Sequence, residues 1–83
     1  MNIPSYRVFF DTSVYIAALF SPTGAAGELL RLAESGAITM VVSEKVIIES
    51  DQVLIRKFPK LIEDSRCLWK SIGPEISKNP LSK

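Results

Sequence analysis

The chain has 83 residues and a formal net charge of +1, and 47% of its residues are hydrophobic. A chain of this size forms one small domain, and its apolar content is too high for an intrinsically disordered segment. The low net charge argues against a strongly basic nucleic-acid surface. Affinity for nucleic acid would therefore have to come from a bound metal ion or from a local patch.

The residue types that the chain lacks exclude several kinds of catalysis. It contains no histidine and a single cysteine, Cys67, so serine–histidine and cysteine–histidine systems are impossible within it, as are internal disulfides and cysteine zinc sites. The single free cysteine and the lack of a recognisable secretion signal predict a cytoplasmic protein. No membrane partner is expected, because the apolar run 14–20 is far shorter than the ~20 residues that cross a bilayer. Carboxylates and hydroxyls remain as catalytic groups, and both are ligands of hard metal ions.

The first half of the chain predicts a strand followed by two helices. Residues 6–10 are rich in aromatic and β-branched side chains, which is typical of a buried strand. Residues 11–13 offer three candidate N-caps for a short helix over 14–20. A turn at 21–24 separates this helix from a second amphipathic one, which ends at Gly36.

The second half repeats the pattern. Residues 37–42 predict a second strand, and a third helix begins after Ser43 and ends at the Phe58-Pro59 break. Residues 61–72 predict a fourth amphipathic helix. Strand, helices, strand and helix in this order indicate an α/β fold with two parallel strands, joined by a right-handed crossover, and about four helices.

Two strands are fewer than a stable parallel sheet normally has, so the sequence predicts a domain that stops early. The domain is expected to span residues 1–75, with a loose tail over 76–83.

Two polar residues directly follow the predicted strands: Asp11 follows the first and Ser43 the second. Functional groups in open α/β sheets lie just beyond the carboxyl ends of strands. Asp11 has two interpretations, an N-cap of the first helix or a metal-binding carboxylate at the mouth of the sheet. Ser43 is expected to cap the third helix.

The third helix carries two further acidic candidates. A helical wheel places the apolar residues on a broad arc that includes Ile48 and Ile55, with Asp51 inside the arc and Glu49 at its margin. A marginal carboxylate can face a cleft, and either residue is also compatible with a solvated side chain. The wheel alone does not choose between Glu49 and Asp51.

One local cluster of positive charge stands out near the Phe58-Pro59 break. It consists of Arg56, Lys57 and Lys60. Clusters of this size usually keep a chain soluble, and contact with nucleic acid is the alternative interpretation.

Two blocks of the sequence carry a family resemblance. Residues 9–14, Phe-Phe-Asp-Thr-Ser-Val, end a hydrophobic strand in Asp-Thr-Ser-Val, and residues 41–49 end a strand in Ser43 with Glu49 six residues later. Both blocks resemble the PIN (PilT N-terminus) domain family. The match covers residues 7 to about 73, and the helix between the blocks resembles the VapC-like toxin branch.

The resemblance implies a three-layer α/β/α fold and a Mg²⁺- or Mn²⁺-dependent endoribonuclease. It carries over Asp11 and Glu49 as the catalytic, metal-binding carboxylates. Thr12, Ser13 and Ser43 become candidate hydroxyls that orient these ligands. The implied partners are single-stranded or structured RNA and an antitoxin protein. Asp51 does not match the pattern and stays as a rival to Glu49.

The sequence also departs from the family, whose later strands bear two more acidic residues. The remaining acidic residues here, such as Glu63, Asp64 and Glu75, follow no predicted strand. Weak or absent activity of this chain alone is therefore expected. In the fold that the resemblance implies, the missing later strands would lie beside the first strand, so self-association through that open sheet edge is also predicted. The alternative is a non-catalytic half-domain that pairs with another chain. A phosphotransferase of the haloacid-dehalogenase type is excluded, because that family requires an aspartate where this chain has Ser13.

Overall fold

The computed structural model describes residues 6–78 of the chain. Its elements, in chain order, are β1 (Tyr6–Phe9), α1 (Thr12–Phe20), α2 (Ala25–Ser35), β2 (Ile38–Ser43), α3 (Glu44–Lys57), a 3-10 turn (Pro59–Leu61), α4 (Ile62–Ile72) and β3 (Glu75–Ser77). The predicted α/β class and the four α-helices are confirmed.

The three strands form one parallel sheet in the order β1-β2-β3. Val8 lies beside Met40, and Val42 lies beside Ile76. β2 is therefore the central strand, and no strand within residues 6–78 pairs with the outer edge of β1.

The prediction of two strands was wrong, because Glu75–Ser77 forms a third strand where a loose tail was expected. The segment is only three residues long and contains one aliphatic residue, so it carries no alternation that a sequence pattern could show. The turn before it depends on Gly73, which ends α4 at a φ of 58°. The rest of the predicted tail, 79–83, lies outside the described residues.

One face of the sheet is covered by helices, and the core lies there. Its buried members come from the residue after β1, from β2 and from α1 and α2: Phe10, Tyr15, Ala18, Leu30, Ala33, Met40 and Val42. Leu68, Trp69 and Ile72 of α4 pack against them. Alternation along each strand sends every second side chain to this face.

Two contacts fix the helices on the covered face. The ring of Tyr15 stacks on Trp69 with 4.3 Å between ring centroids, and its hydroxyl lies 2.6 Å from the hydroxyl of Ser65, which joins α1 to α4. Gly27 brings α2 against the turn after α1, because a Cβ there would overlap the backbone of Pro22. A residue larger than glycine does not fit at this crossing.

The opposite face of the sheet is open over β1. Phe9 projects there and is 59% exposed. Arg7 reaches across β2 to Glu75, with 3.1 Å between Nε and Oε1 and a second contact between Nη2 and Oε2. This ion pair joins the two outer strands above Val41, which is fully buried.

Helix α3 is rotated relative to its hydrophobic pattern. Ile48 and Ile55 lie on the predicted apolar arc, yet they are 55% and 54% exposed. Leu54 of the same arc is completely buried as expected, and so is the polar Ser50. The neighbours of the helix, rather than its own hydropathy, decide which side faces inward. No helix in the part of the chain that the structure describes is long and apolar enough to cross a membrane.

Candidate metal centre

Asp11 lies at the carboxyl end of β1 and caps the N-terminus of α1. Its Oδ1 accepts hydrogen bonds from the backbone N–H of Val14 at 2.9 Å and from the hydroxyl of Ser13 at 3.0 Å. The Val14 bond, followed by the Ser13 bond, holds the pKa of Asp11 below its usual value. The side chain is exposed and ionised at neutral pH. The capping role is therefore present, and it leaves a charged carboxylate at the mouth of the sheet.

Glu49 is connected to this end of the sheet through Thr12. The hydroxyl of Thr12 donates to Oε1 of Glu49 across 3.0 Å, a bond that joins α1 to α3. Thr12 directly follows Asp11, so the bond ties Glu49 to the same edge. The other carboxylate oxygen, Oε2, lies 3.9 Å from the ammonium of Lys45, one helical turn earlier.

Ser43 acts as the predicted cap of α3. Its hydroxyl accepts from the backbone N–H of Val46 across 3.2 Å. Ser43 also lines a pocket of about 320 Å³ at the carboxyl ends of the strands, together with Phe9, Phe10, Asp11, Val14, Val46 and Ser77. The pocket is mainly apolar, and Asp11 is the charged group on its wall.

Asp51 points to a different part of the molecule. Its two carboxylate oxygens accept from Nε and Nη2 of Arg66 at 3.3 Å and 3.1 Å. This two-point ion pair joins α3 to α4 and gives Asp51 a structural partner. The remaining acidic candidates lie apart as well: Glu63 and Asp64 are exposed on α4, and Glu75 is paired with Arg7.

The side chains at this end of the sheet are of the type that a hard cation uses. Asp11 and Glu49 would offer carboxylate oxygens, and the hydroxyls of Thr12 and Ser13 bond to them; oxygen ligands are those that Mg²⁺ and Mn²⁺ prefer. Among residues 6–78 no group of three or more histidine, cysteine, aspartate or glutamate side chains comes together. A divalent ion held by these two carboxylates alone would be held weakly.

Three residues near the site were not among the predicted ones. Lys45 stands four residues before Glu49, a spacing that makes helical neighbours, so the sequence could have indicated it. Phe9 and Ser77 line the pocket because of sheet geometry. Ser77 could not have been found from the sequence, since β3 itself was not predicted.

Comparison with known families gives one result. The profile described as PIN domain matches residues 7–83. Searches among curated proteins and among solved structures gave no significant match. The profile extends over both blocks of the candidate site and over all three strands except Tyr6. The chain belongs to the PIN domain family, whose members are generally nucleases and typically depend on divalent metal ions.

Proposed function

We propose that this chain is a Mg²⁺- or Mn²⁺-dependent endoribonuclease of the VapC-like toxin type, with low activity when it acts alone. Asp11 and Glu49 are the proposed metal-binding and catalytic carboxylates. The observation that carries the proposal is the 3.0 Å bond from Thr12 to Glu49, which ties the second carboxylate to the residue after the first. The proposed substrate is single-stranded or structured RNA, the proposed partner is an antitoxin protein, and the proposed location is the cytoplasm.

Each side chain has a role that follows from its bonds. The Ser13 and Val14 bonds keep Asp11 ionised and fix its orientation. Thr12 holds Oε1 of Glu49 and so limits the rotation of that side chain. A divalent cation bound by the two carboxylates would lower the pKa of a water molecule and neutralise charge on the phosphodiester. Low activity follows from the donor set, since two carboxylates retain and orient such an ion poorly.

Metal binding tests the choice of ligands. Isothermal titration of the chain with Mn²⁺ should give weak binding that Asp11→Asn abolishes and Glu49→Gln weakens strongly. Asp51→Asn is the matched control, because it removes one carboxylate charge on the same helix as Glu49. If Asp51→Asn is the damaging substitution, the assignment of Glu49 is wrong.

Cleavage of a fluorescent single-stranded RNA in Mn²⁺ tests the activity. We expect slow cleavage that disappears in Asp11→Asn and falls by roughly tenfold in Thr12→Val, which keeps the shape of the side chain but cannot hold Glu49. Robust cleavage by the wild-type chain, lost in Asp11→Ala, would contradict the low activity. It would mean that the chain, or a dimer of it, completes the site.

A second candidate function is that of a non-catalytic interaction module. The observation that favours it is the outer edge of β1, which has no partner strand within residues 6–78 and carries the exposed ring of Phe9. The N–H of Phe10 bonds to Val41 of β2, so alternation points the N–H of Phe9 away from the sheet. This edge can accept another strand, and a second copy of the chain is the proposed partner.

Size-exclusion chromatography with light scattering over a concentration series tests this association. We expect self-association that Phe9→Pro reduces, because proline removes an outward N–H without removing a bond to β2. Phe9→Ser separates the contribution of the ring from that of the backbone. A stable wild-type monomer at high micromolar concentration would contradict the interaction module.

A further inference from the structure

A second groove lies at the opposite end of α1 from Asp11. It has a volume of about 510 Å³. Its lining is apolar at Leu19, Phe20, Phe58, Pro59 and Leu61 and basic at Lys57 and Lys60. We call it the Phe20 groove. The candidate metal centre uses none of these residues.

The two aromatic rings of the groove are arranged at right angles. The centroids of Phe20 and Phe58 lie 4.3 Å apart with an interplanar angle of 82°. Phe58 is half-buried and supports Phe20, which is 50% exposed. A large apolar ring held in place and half open to solvent is a surface on which another flat ring can stack.

The positive charges beside this ring are free. Arg56, Lys57 and Lys60 form no ion pair within residues 6–78, whereas Arg7, Arg31 and Arg66 all do. Arg56 and Lys57 also lie in the last turn of α3, where a positive charge interacts favourably with the helix dipole. Lys60 lies beyond α3, so the dipole does not account for it.

We propose that the Phe20 groove binds single-stranded RNA, with a base stacked on Phe20 and with Lys57 and Lys60 on the flanking phosphates. An aromatic platform with nearby cations is the recurring design for single-stranded nucleic acid. The lining contains no neutral polar side chain that could read a base edge, so the binding is independent of sequence. An acidic peptide with an apolar anchor is the competing occupant.

The position of the groove gives it a role in the proposed ribonuclease, on which this inference rests. Helix α1 spans Thr12–Phe20, and a rise of about 1.5 Å per residue puts its two ends roughly 12 Å apart. About four stacked nucleotides, at roughly 3.4 Å each, cover that length. The groove would hold one part of an RNA strand while another part lies at the metal centre.

Fluorescence polarisation with a labelled short oligouridylate tests the groove on the full chain. EDTA in the buffer prevents cleavage and removes metal-dependent binding. We expect Lys57→Ala with Lys60→Ala to weaken binding about tenfold and to lower the salt slope by roughly 1.4, since each phosphate contact on a single strand contributes about 0.7. Phe20→Leu, which keeps an apolar side chain but loses the ring, should also weaken binding about tenfold.

The controls remove equal charge, or an exposed ring, elsewhere on the surface. Lys70→Ala with Lys78→Ala matches the double lysine variant, and Tyr6→Leu matches the aromatic one, because Tyr6 is 72% exposed on β1. Both should bind like the wild type. Circular dichroism of each variant verifies that it is folded.

Three results would overturn the proposal. The wild type does not bind the oligouridylate, or the groove variants bind it as the wild type does, or Phe20→Leu binds normally while Phe20→Ala does not. The last result would mean that an apolar contact, and not stacking on the ring, holds the oligouridylate. If the groove variants lose binding as expected and no metal ion supports cleavage by the wild type, the nuclease proposal fails while the groove still binds RNA.

Discussion

The two faces of the sheet differ in how completely they are covered, although the same strands form both. On the helix-covered face, Tyr15 and Val42 are completely buried and Met40 is 1% exposed. On the open face, Phe9 is 59% exposed, and the exposed Arg7–Glu75 ion pair joins the two outer strands. The comparison indicates that the covered face stabilises the fold. The open face contributes less over β1, where Phe9 is accessible to a partner, although Val41 of β2 is fully buried on the same face.

Matched aromatic deletions should separate the two faces most strongly. We expect Tyr15→Ala to lower the free energy of unfolding by about 4 kcal/mol, because it leaves a cavity and removes the stack on Trp69. Phe9→Ala should cost less than about 1 kcal/mol, since that ring is already in solvent for the most part. Urea denaturation measured at low protein concentration gives both values. Equal losses would contradict the division between the faces.

The close approach of α1 and α2 on the covered face predicts the next largest effect. Alanine is normally favoured over glycine inside a helix by about 1 kcal/mol. At Gly27 the sign should reverse, and Gly27→Ala should destabilise by about 3 kcal/mol, because the new Cβ meets the rigid backbone of Pro22. Gly24→Ala is the control, since its Cβ would meet the exposed side chain of Ser21 at 3.2 Å. The melting temperatures of both variants test this prediction. A Gly27→Ala variant more stable than the wild type would show that α2 does not pack closely against Pro22.

Alkaline pH should weaken the covered face selectively. Burial raises the pKa of Tyr15 to about 12, against 10.0 for a free tyrosine. The unfolded state loses this proton first, so stability is complete below pH 10 and falls as the pH rises to about 12. The loss should be roughly 2–3 kcal/mol.

Tyr15→Phe isolates this titration from that of other groups. The variant should lack that part of the alkaline loss, and at neutral pH it should cost about 1 kcal/mol for the bond to Ser65. The readout is the difference between wild-type and Tyr15→Phe stability across the pH range. A difference that does not vary with pH would mean that the hydroxyl is not protected by burial.

The smallest effect should come from the ion pair on the open face. Arg7→Ala should lower global stability by less than about 1 kcal/mol, because both side chains are largely exposed. Hydrogen exchange should show a larger change at Ile76 in β3 than at Val42 in β2. Arg31→Ala, which breaks another exposed pair, is the control and should leave β3 unchanged. Equal protection of β3 in all three proteins would mean that the pair does not hold this strand.

Features that depend on residues close together in the chain could be predicted from the sequence alone. The first two strands follow from runs of aromatic and β-branched residues, and the helix starts follow from Asp11 and Ser43, which cap α1 and α3 as predicted. The family also follows from the sequence, because two short blocks in the correct order carry the resemblance. Capping, propensity and chain order all act over a few residues, so they can be read without coordinates.

Contacts between residues that are far apart in the chain could be found only from the folded structure. β3 forms because β2 offers a free edge, and the bond between Thr12 and Glu49 spans two helices that are far apart in the chain. The ion pair between Asp51 and Arg66 depends on the packing of α3 against α4. A helical wheel of α3 alone carries no information about α4. The same packing turns Ile48 outward. Hydropathy gives the free energy that a side chain gains from burial, and the packing of neighbouring elements determines which side chains are buried.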